Sequence, residues 1–228
     1  MEVFEYPILK NKHYQQPSVF RPENLIREAR RQKGLKTCNI PEICVLDPDG
    51  DLAEYLIQSG KAKKNNCWAC YHSKLYNFQI EGMEIGVVPH AVGASYAVLV
   101  AEQLFQSGCE LLISITSAGL INHPETSHKF ALITEAVRDE GTSYHYLQAD
   151  RPSVLPAKLM EIFVHQAQEL WFPAKSWTTD APYRETQQAI EAMKAESHDA
   201  WSHPRLIEYR FVPKYEYPAL MEAIASSN

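Results

Sequence analysis

A chain of 228 residues, 45% hydrophobic and 22% charged, has the composition of a globular protein with one large domain or at most two small ones. No apolar run approaches the roughly 20 residues that span a bilayer, and the opening Met1-Glu2-Val3-Phe4-Glu5 lacks the basic-then-apolar order of a signal peptide. A net charge of −6 argues against nucleic-acid binding, which needs a basic face.

Residues 1–39 are polar and irregular, with Pro7, Pro17 and Pro22. Pro22 suits the first turn of a helix, and Leu25, Ile26 and Ala29 at helical spacing predict a short one ending by Gly34. Its Arg27, Arg30 and Arg31 read as a solvated basic face. Ile43-Cys44-Val45-Leu46 predicts a buried strand, and Asp47-Pro48-Asp49-Gly50 a turn. Asp51 then caps a helix whose Leu52, Tyr55 and Leu56 share a face and which Gly60 ends.

Residues 61–66 form a polar connector. Cys67 and Cys70 make a C-x-x-C, which is a redox pair, half a zinc site or two ordinary thiols. A zinc site needs a second ligand pair, and Cys38 with Cys44 has the wrong separation. A redox pair opens a helix, whereas residues 68–72 read as strand. Ordinary buried thiols are the preferred reading, and five cysteines without a signal fit a reducing cytosol.

Strands are predicted over 68–72, 75–80 and 83–88, with Glu81-Gly82 as a hairpin turn. The loop 89–95 leads into an amphipathic helix carrying Ala97, Val100, Ala101, Leu104 and Phe105, ended by Gly108. The apolar run 111–115 predicts a central strand. At its end Thr116, Ser117, Ala118 and Gly119 are small enough to turn backbone N–H groups toward an anion; a polar strand end is the plainer alternative.

A strand over 130–133 enters the densest polar stretch of the chain. Arg138, Asp139, Glu140, Thr142, Ser143, Tyr144, His145 and Tyr146 fall within nine positions around Gly141. Such a stretch is either a binding loop at a strand end or an ordinary surface turn. His145, between two tyrosines, reads as a wall residue rather than a proton shuttle. Pro156 opens a helix with Leu159, Ile162, Phe163 and Leu170 on one face. A short strand over 175–179 precedes a second polar cluster, Asp180 to Thr186, and a helix over 187–196. Gly141 is the last glycine, so 87 residues follow without one. The segment 197–228 shows no clear period beyond a short helix over 218–226. No dinucleotide fingerprint, P-loop, zinc-protease or serine-hydrolase motif occurs.

Five segments together resemble the nucleoside phosphorylase superfamily, in its uridine phosphorylase-like branch. They are 45–51 (VLDPDGD), 85–95 (IGVVPHAVGAS), 113–120 (ISITSAGL), 136–146 (AVRDEGTSYHY) and 177–186 (WTTDAPYRET). The last two are specific, and the resemblance covers about residues 42–196. It implies a three-layer α/β/α fold with a twisted mixed central sheet, one domain over 1–228 and a divergent or truncated C-terminal tail over 197–228. It also implies cleavage of a nucleoside by phosphate to free base and ribose 1-phosphate. Expected partners are nucleoside and phosphate, with no cofactor, metal, nucleic acid or membrane. The resemblance further implies a cytoplasmic homo-oligomer, provided the C-terminal region folds.

By the same resemblance, Thr116, Ser117, Gly119, Arg138, Tyr183, Arg184 and Glu185 are the substrate-binding candidates, and Gly50, Gly93 and Ser117 the phosphate candidates. No catalytic residue is assigned. Arg138 either contacts phosphate or anchors Asp139 or Asp180 in an ion pair. N-terminal residues of the family can reach a neighbouring subunit's site, which draws attention to His13. The chain departs from the family's pattern at Glu54 and Ser114, each at an arginine position of the phosphate site, and at Pro182, where an aromatic residue usually stands. Ala91 and Ala94 stand where the family's loop has glycines. The acids that hold the ribose hydroxyls are missing after Glu196. A hydrolytic nucleosidase needs no phosphate arginines, and a non-catalytic binding or oligomer-forming relative needs no ribose acids. Both stay open as alternatives.

Overall fold

A computed structural model describes residues 6–121, 130–166, 171–195 and 205–207. The expected helix over 218–226, the missing ribose segment after Glu196 and Leu170 lie outside them. Two compact units divide the described residues, one formed by 15–116 and the other by 6–14 with the described parts of 117–207.

The first unit runs α1 (Pro22–Lys33), β1 (Ile43–Asp47), α2 (Asp51–Gln58), β2 (Lys63–Lys64), β3 (Tyr76–Ile80), β4 (Met83–Pro89), α3 (Ala94–Gln106) and β5 (Leu111–Ser114). The sheet order is β2-β3-β4-β1-β5. β1 lies parallel to β4 and β5, and β3 is antiparallel to β2 and β4. Cys44, Leu46 and Val88 pack with Val100 and Leu104 of α3 in one buried cluster. Alternate residues Val45 and Val87 point to the opposite face. α2 packs on β1 and β4 with Leu52 and Leu56 buried. At Gly86, opposite Cys44, a Cβ would stand 2.9 Å from the Cys44 sulfur and from Leu75. The close strand approach there requires glycine. Glu81 and Gly82 both take positive φ, 47° and 86°, as a tight hairpin turn demands.

Four expectations change. The cap of α2 is not Asp51, which is its first residue, but the carboxylate of Asp47, three residues before Gly50 closes the turn. It accepts the Gly50 N–H at 3.0 Å and the Ala53 N–H at 2.9 Å. β5 is an edge rather than a central strand of its described sheet; an apolar run reports burial but not sheet order. Residues 68–72 form no strand. The Asn65 side-chain oxygen instead accepts the N–H groups of Cys67 and Trp68, at 2.7 and 2.9 Å, and turns the chain there. Finally, Cys67 pairs with Cys38 in a disulfide, their Cα atoms 5.4 Å apart. The other three cysteines, Cys44, Cys70 and Cys109, are buried free thiols. The reading of all five as ordinary thiols of a reducing compartment therefore fails for two of them, because pairing across the fold is invisible in sequence spacing.

The second unit holds β6 (Gly119–Leu120), β7 (Phe130–Asp139), β8 (Ser153–Val154), α4 (Ala157–Gln166), β9 (Trp171–Thr179), α5 (Gln187–Ala195) and β10 (Arg205–Ile207). The order is β6-β10-β9-β7-β8, with β7, β9 and β10 parallel and the outer strands antiparallel. β7 continues six residues past its expected end at Ile133, through a bulge at Thr134, whose hydroxyl donates to the Ala174 carbonyl at 3.1 Å. Glu135 and Lys175, paired across the strands, form a half-buried ion pair at 3.0 Å. Ala189, Ile190 and Met193 of α5 pack over buried Ile121 and Trp177.

Candidate active site

The register of β7 and β9 sets Arg138 opposite Thr178 and Asp139 opposite Thr179. The two most specific sequence motifs therefore leave the sheet side by side, at the carboxyl ends of neighbouring parallel strands. Open α/β sheets bind ligands at that edge. The two loops also hold one another. The Trp177 indole N–H donates to the Asp139 carboxylate at 3.0 Å, and the Gly141 N–H donates to the Asp180 carboxylate at 2.8 Å.

Within the first loop, Glu140 accepts the N–H groups of Thr142 and Ser143, at 2.6 and 3.0 Å, and caps the short 3₁₀ turn Ser143–His145. Arg138 organises the rest. Its Nε donates to the Ser143 hydroxyl at 2.7 Å. Its other nitrogens donate to the carbonyls of Gln148, Arg151 and Leu147 at 2.6, 2.8 and 2.9 Å. The guanidinium also lies 4.6 Å from the Tyr144 ring centre, and the Tyr144 hydroxyl returns a bond to the Arg138 carbonyl at 2.8 Å. The expected internal anchoring of Arg138 is thus met by carbonyls and a hydroxyl rather than by Asp139 or Asp180. Its planar fork of donors suits that task better than an ion pair would.

The second loop presents its candidates outward. Pro182–Arg184 forms a 3₁₀ turn on which Tyr183 is fully exposed, Arg184 is exposed and Glu185 is half-buried. An N-terminal strap lies against the first loop. Lys12 Nζ meets His145 Nδ1 at 2.8 Å, Tyr14 donates to the Tyr144 carbonyl at 3.5 Å, and Ile8 stands beside Gly141. Lys12 and Tyr14, not the His13 between them, make these contacts. Sequence reading passed over both, because nothing in a polar, proline-bearing segment marks where it docks.

In the first unit, the turn after β1 and the loop after β4 meet at one sheet edge, since Asp47 lies opposite Pro89. The Gly50 N–H is engaged by both the Asp47 carboxylate and the Asp47 carbonyl, at 3.0 and 3.1 Å. Burial pushes the Asp47 carboxyl up to about 6, although the Ala53 and Gly50 N–H groups pull it down. Thr116 donates to the Asp49 carboxylate at 3.4 Å. Glu54 accepts from Gln58 at 2.6 Å, and Ser114 is exposed. Gly93 takes a φ of 88° as the N-cap of α3. Ser117, buried, and Gly119, on β6 opposite Ile207, belong to the second unit.

The fold is the three-layer α/β/α type of the nucleoside phosphorylases. It is similar to a uridine phosphorylase from Vibrio fischeri in complex with 6-hydroxy-1-naphthoic acid, with a TM-score of 0.61 and 15% identity, over 86% of this chain and 97% of that one. A Plasmodium knowlesi homologue of the P. falciparum purine nucleoside phosphorylase aligns at TM-score 0.59 and 14% identity, over 99% and 98% of the two chains. A Toxoplasma gondii purine nucleoside phosphorylase in complex with immucillin-H aligns at 0.61 and 14%, over 85% and 75%. No curated protein matches the sequence. The phosphorylase superfamily profile matches residues 42–201, and the chain belongs to that superfamily. No described helix is long and apolar enough to cross a membrane.

Proposed function

We propose that the protein cleaves the N-glycosidic bond of a purine or pyrimidine nucleoside with phosphate, giving free base and ribose 1-phosphate. The observation that carries this reading is the pair of mutually bonded motif loops at the carboxyl ends of β7 and β9. Such cleavage passes through an oxocarbenium-like state, which needs a positioned nucleophile, acceptors for the ribose hydroxyls and polar groups for the departing base. Tyr183 offers a ring face to the base, and Arg184 and Glu185 its edge contacts. Thr116 of the first unit, and Ser117 and Gly119 of the second, are each candidates for ribose or anion; Gly50 and Gly93 of the first unit and, separately, Ser117 of the second are the candidates for phosphate. Gly50 serves through its close-approach backbone rather than its engaged N–H. Arg138 acts by holding the loop. The protein works as a homo-oligomer in this reading, without a metal or organic cofactor.

Hydrolysis is the second reading. It is favoured by the acids Asp49 and Glu54 near the turn after β1, which oppose a phosphate dianion there. The test is base release from uridine, inosine and adenosine, with and without phosphate, followed by chromatography. Release that requires phosphate supports phosphorolysis. Release without it supports hydrolysis, and no release from any of the three overturns both.

A further inference from the structure

The Cys38–Cys67 disulfide joins α1 and the chain after it to a loop that little else holds to them. Residues 65–75 form neither helix nor strand, yet Trp68 and Cys70 within them belong to the same buried cluster as Cys44 and Leu104. Asn65 turns the chain at Cys67, and the Trp68 indole N–H donates to the Ser73 hydroxyl at 2.9 Å. Against this loop lies α1. Its apolar contact there is small: Ile26 and Ala29 meet Ala69, with half-buried Leu35 alongside. Lys33 Nζ donates to the carbonyls of Ala69 and Cys70 and stands 5.3 Å from the Tyr71 ring centre. A few side chains and one covalent bond thus clamp α1 to the loop.

That bond is placed to open. Cys38 and Cys67 are both half-buried, whereas the free thiols Cys44, Cys70 and Cys109 are buried, so an external thiolate can reach the pair and not the other three. The charge around it is of one sign, since residues 29–41 and 55–80 contain no acid. Arg30, grouped by sequence with the solvated face of α1, is half-buried and donates to the Cys38 carbonyl at 3.2 Å. Its Nε–H is buried and finds no acceptor among the described residues. A cation beside a sulfur stabilises it as a thiolate and so as a leaving group. We propose that the Cys38–Cys67 disulfide is a thiol–disulfide exchange site for a dithiol, and that its reduction unclamps α1 from residues 66–73. The first thiolate of the dithiol attacks the Cys67 sulfur and forms a mixed disulfide there. The Cys38–Cys67 bond breaks, and its electron pair leaves on Cys38, which gives the Arg30 guanidinium the acceptor it lacks. The second thiolate of the dithiol then attacks its own partner sulfur and releases Cys67. The dithiol loses two electrons and two protons, and Cys38 and Cys67 end as thiols.

The full-length protein would be treated with dithiothreitol under native conditions, alkylated with iodoacetamide at neutral pH and mapped by mass spectrometry. The expected result is label on Cys38 and Cys67, faster on Cys38, with Cys44, Cys70 and Cys109 unlabelled. Amide exchange in residues 22–38 and 66–73 should quicken about tenfold or more on reduction, while β1 and β4 hold. Cys38→Ser should show that faster exchange without reductant and no further response to it. Arg30→Met should slow the opening several-fold and abolish the lead of Cys38 in labelling; an arginine that merely braced α1 would, when lost, speed the opening instead. The proposal is overturned by a bond that opens only together with labelling of the three buried thiols. It is equally overturned by reduction that leaves exchange in both segments unchanged, or by an Arg30→Met variant that opens as fast as the parent or faster.

Discussion

The loops after β7 and β9 and the turn after β1 both end parallel strands, yet they use their polar groups in opposite ways. In the first pair, Arg138, Asp139, Glu140 and Asp180 all bond to groups of their own unit. Tyr146, Tyr183 and Arg184 stay exposed. In the turn after β1, one buried carboxylate closes the backbone, Asp49 accepts from Thr116, and a single exposed imidazole, that of His90, lies on the glycine. A residue-rich motif is thus not itself a list of ligands. Most of its polar side chains build the loop, and the few that do not are the ones available to a substrate.

Breaking Arg138 should give the largest effect. Arg138→Ala removes four donated hydrogen bonds and should cost about 3 kcal/mol or more in urea unfolding. Arg138→Lys should recover little, since an ammonium lacks the planar fork. Asp47→Ala, compared at about pH 4, comes next, at about 2 kcal/mol, for the lost cap and its two N–H bonds. Its sign with pH is distinctive. The folded carboxyl sits at about 6, above the ordinary 3.8. This group's contribution to stability is therefore full below about 4 and lost as pH rises through about 6. Thermal melts at several pH values should show that dependence in the parent and not in Asp47→Asn.

Trp177→Phe keeps the buried ring but removes the bond to Asp139, and should cost about 1 kcal/mol. Tyr183→Ala sharpens the comparison from the other side: a fully exposed ring should leave the melt unchanged and weaken nucleoside binding about three- to tenfold. Lys12→Met should be the mildest. The contact with His145 is exposed, so stability should hold while amide exchange in residues 141–147 quickens.

Much of the framework was legible because its signals are local. Leu25, Ile26 and Ala29 marked α1, Glu81-Gly82 marked the hairpin, and Ile43-Cys44-Val45-Leu46 marked β1. Long-range facts were not. Neither the edge position of β5 nor the Cys38–Cys67 pairing leaves a trace in spacing. The expected strand over 68–72 yielded to Asn65, whose single side-chain oxygen turns two residues at once. The motif loops were found by resemblance, but their internal division of labour was not. Whether Arg138 meets a ligand or four backbone and hydroxyl partners depends on where residues 143–151 fold back. His90 escaped notice because a histidine after a strand is unremarkable until its φ and its place on Gly50 are known.

The central claim is that the loops after β7 and β9 form one nucleoside-binding unit. Amide hydrogen exchange of the protein with and without saturating uridine or inosine tests it most directly. The account predicts that residues 138–146 and 178–186 gain protection together on addition of a nucleoside. Protection of only one loop, or protection confined to segments away from both, would contradict it.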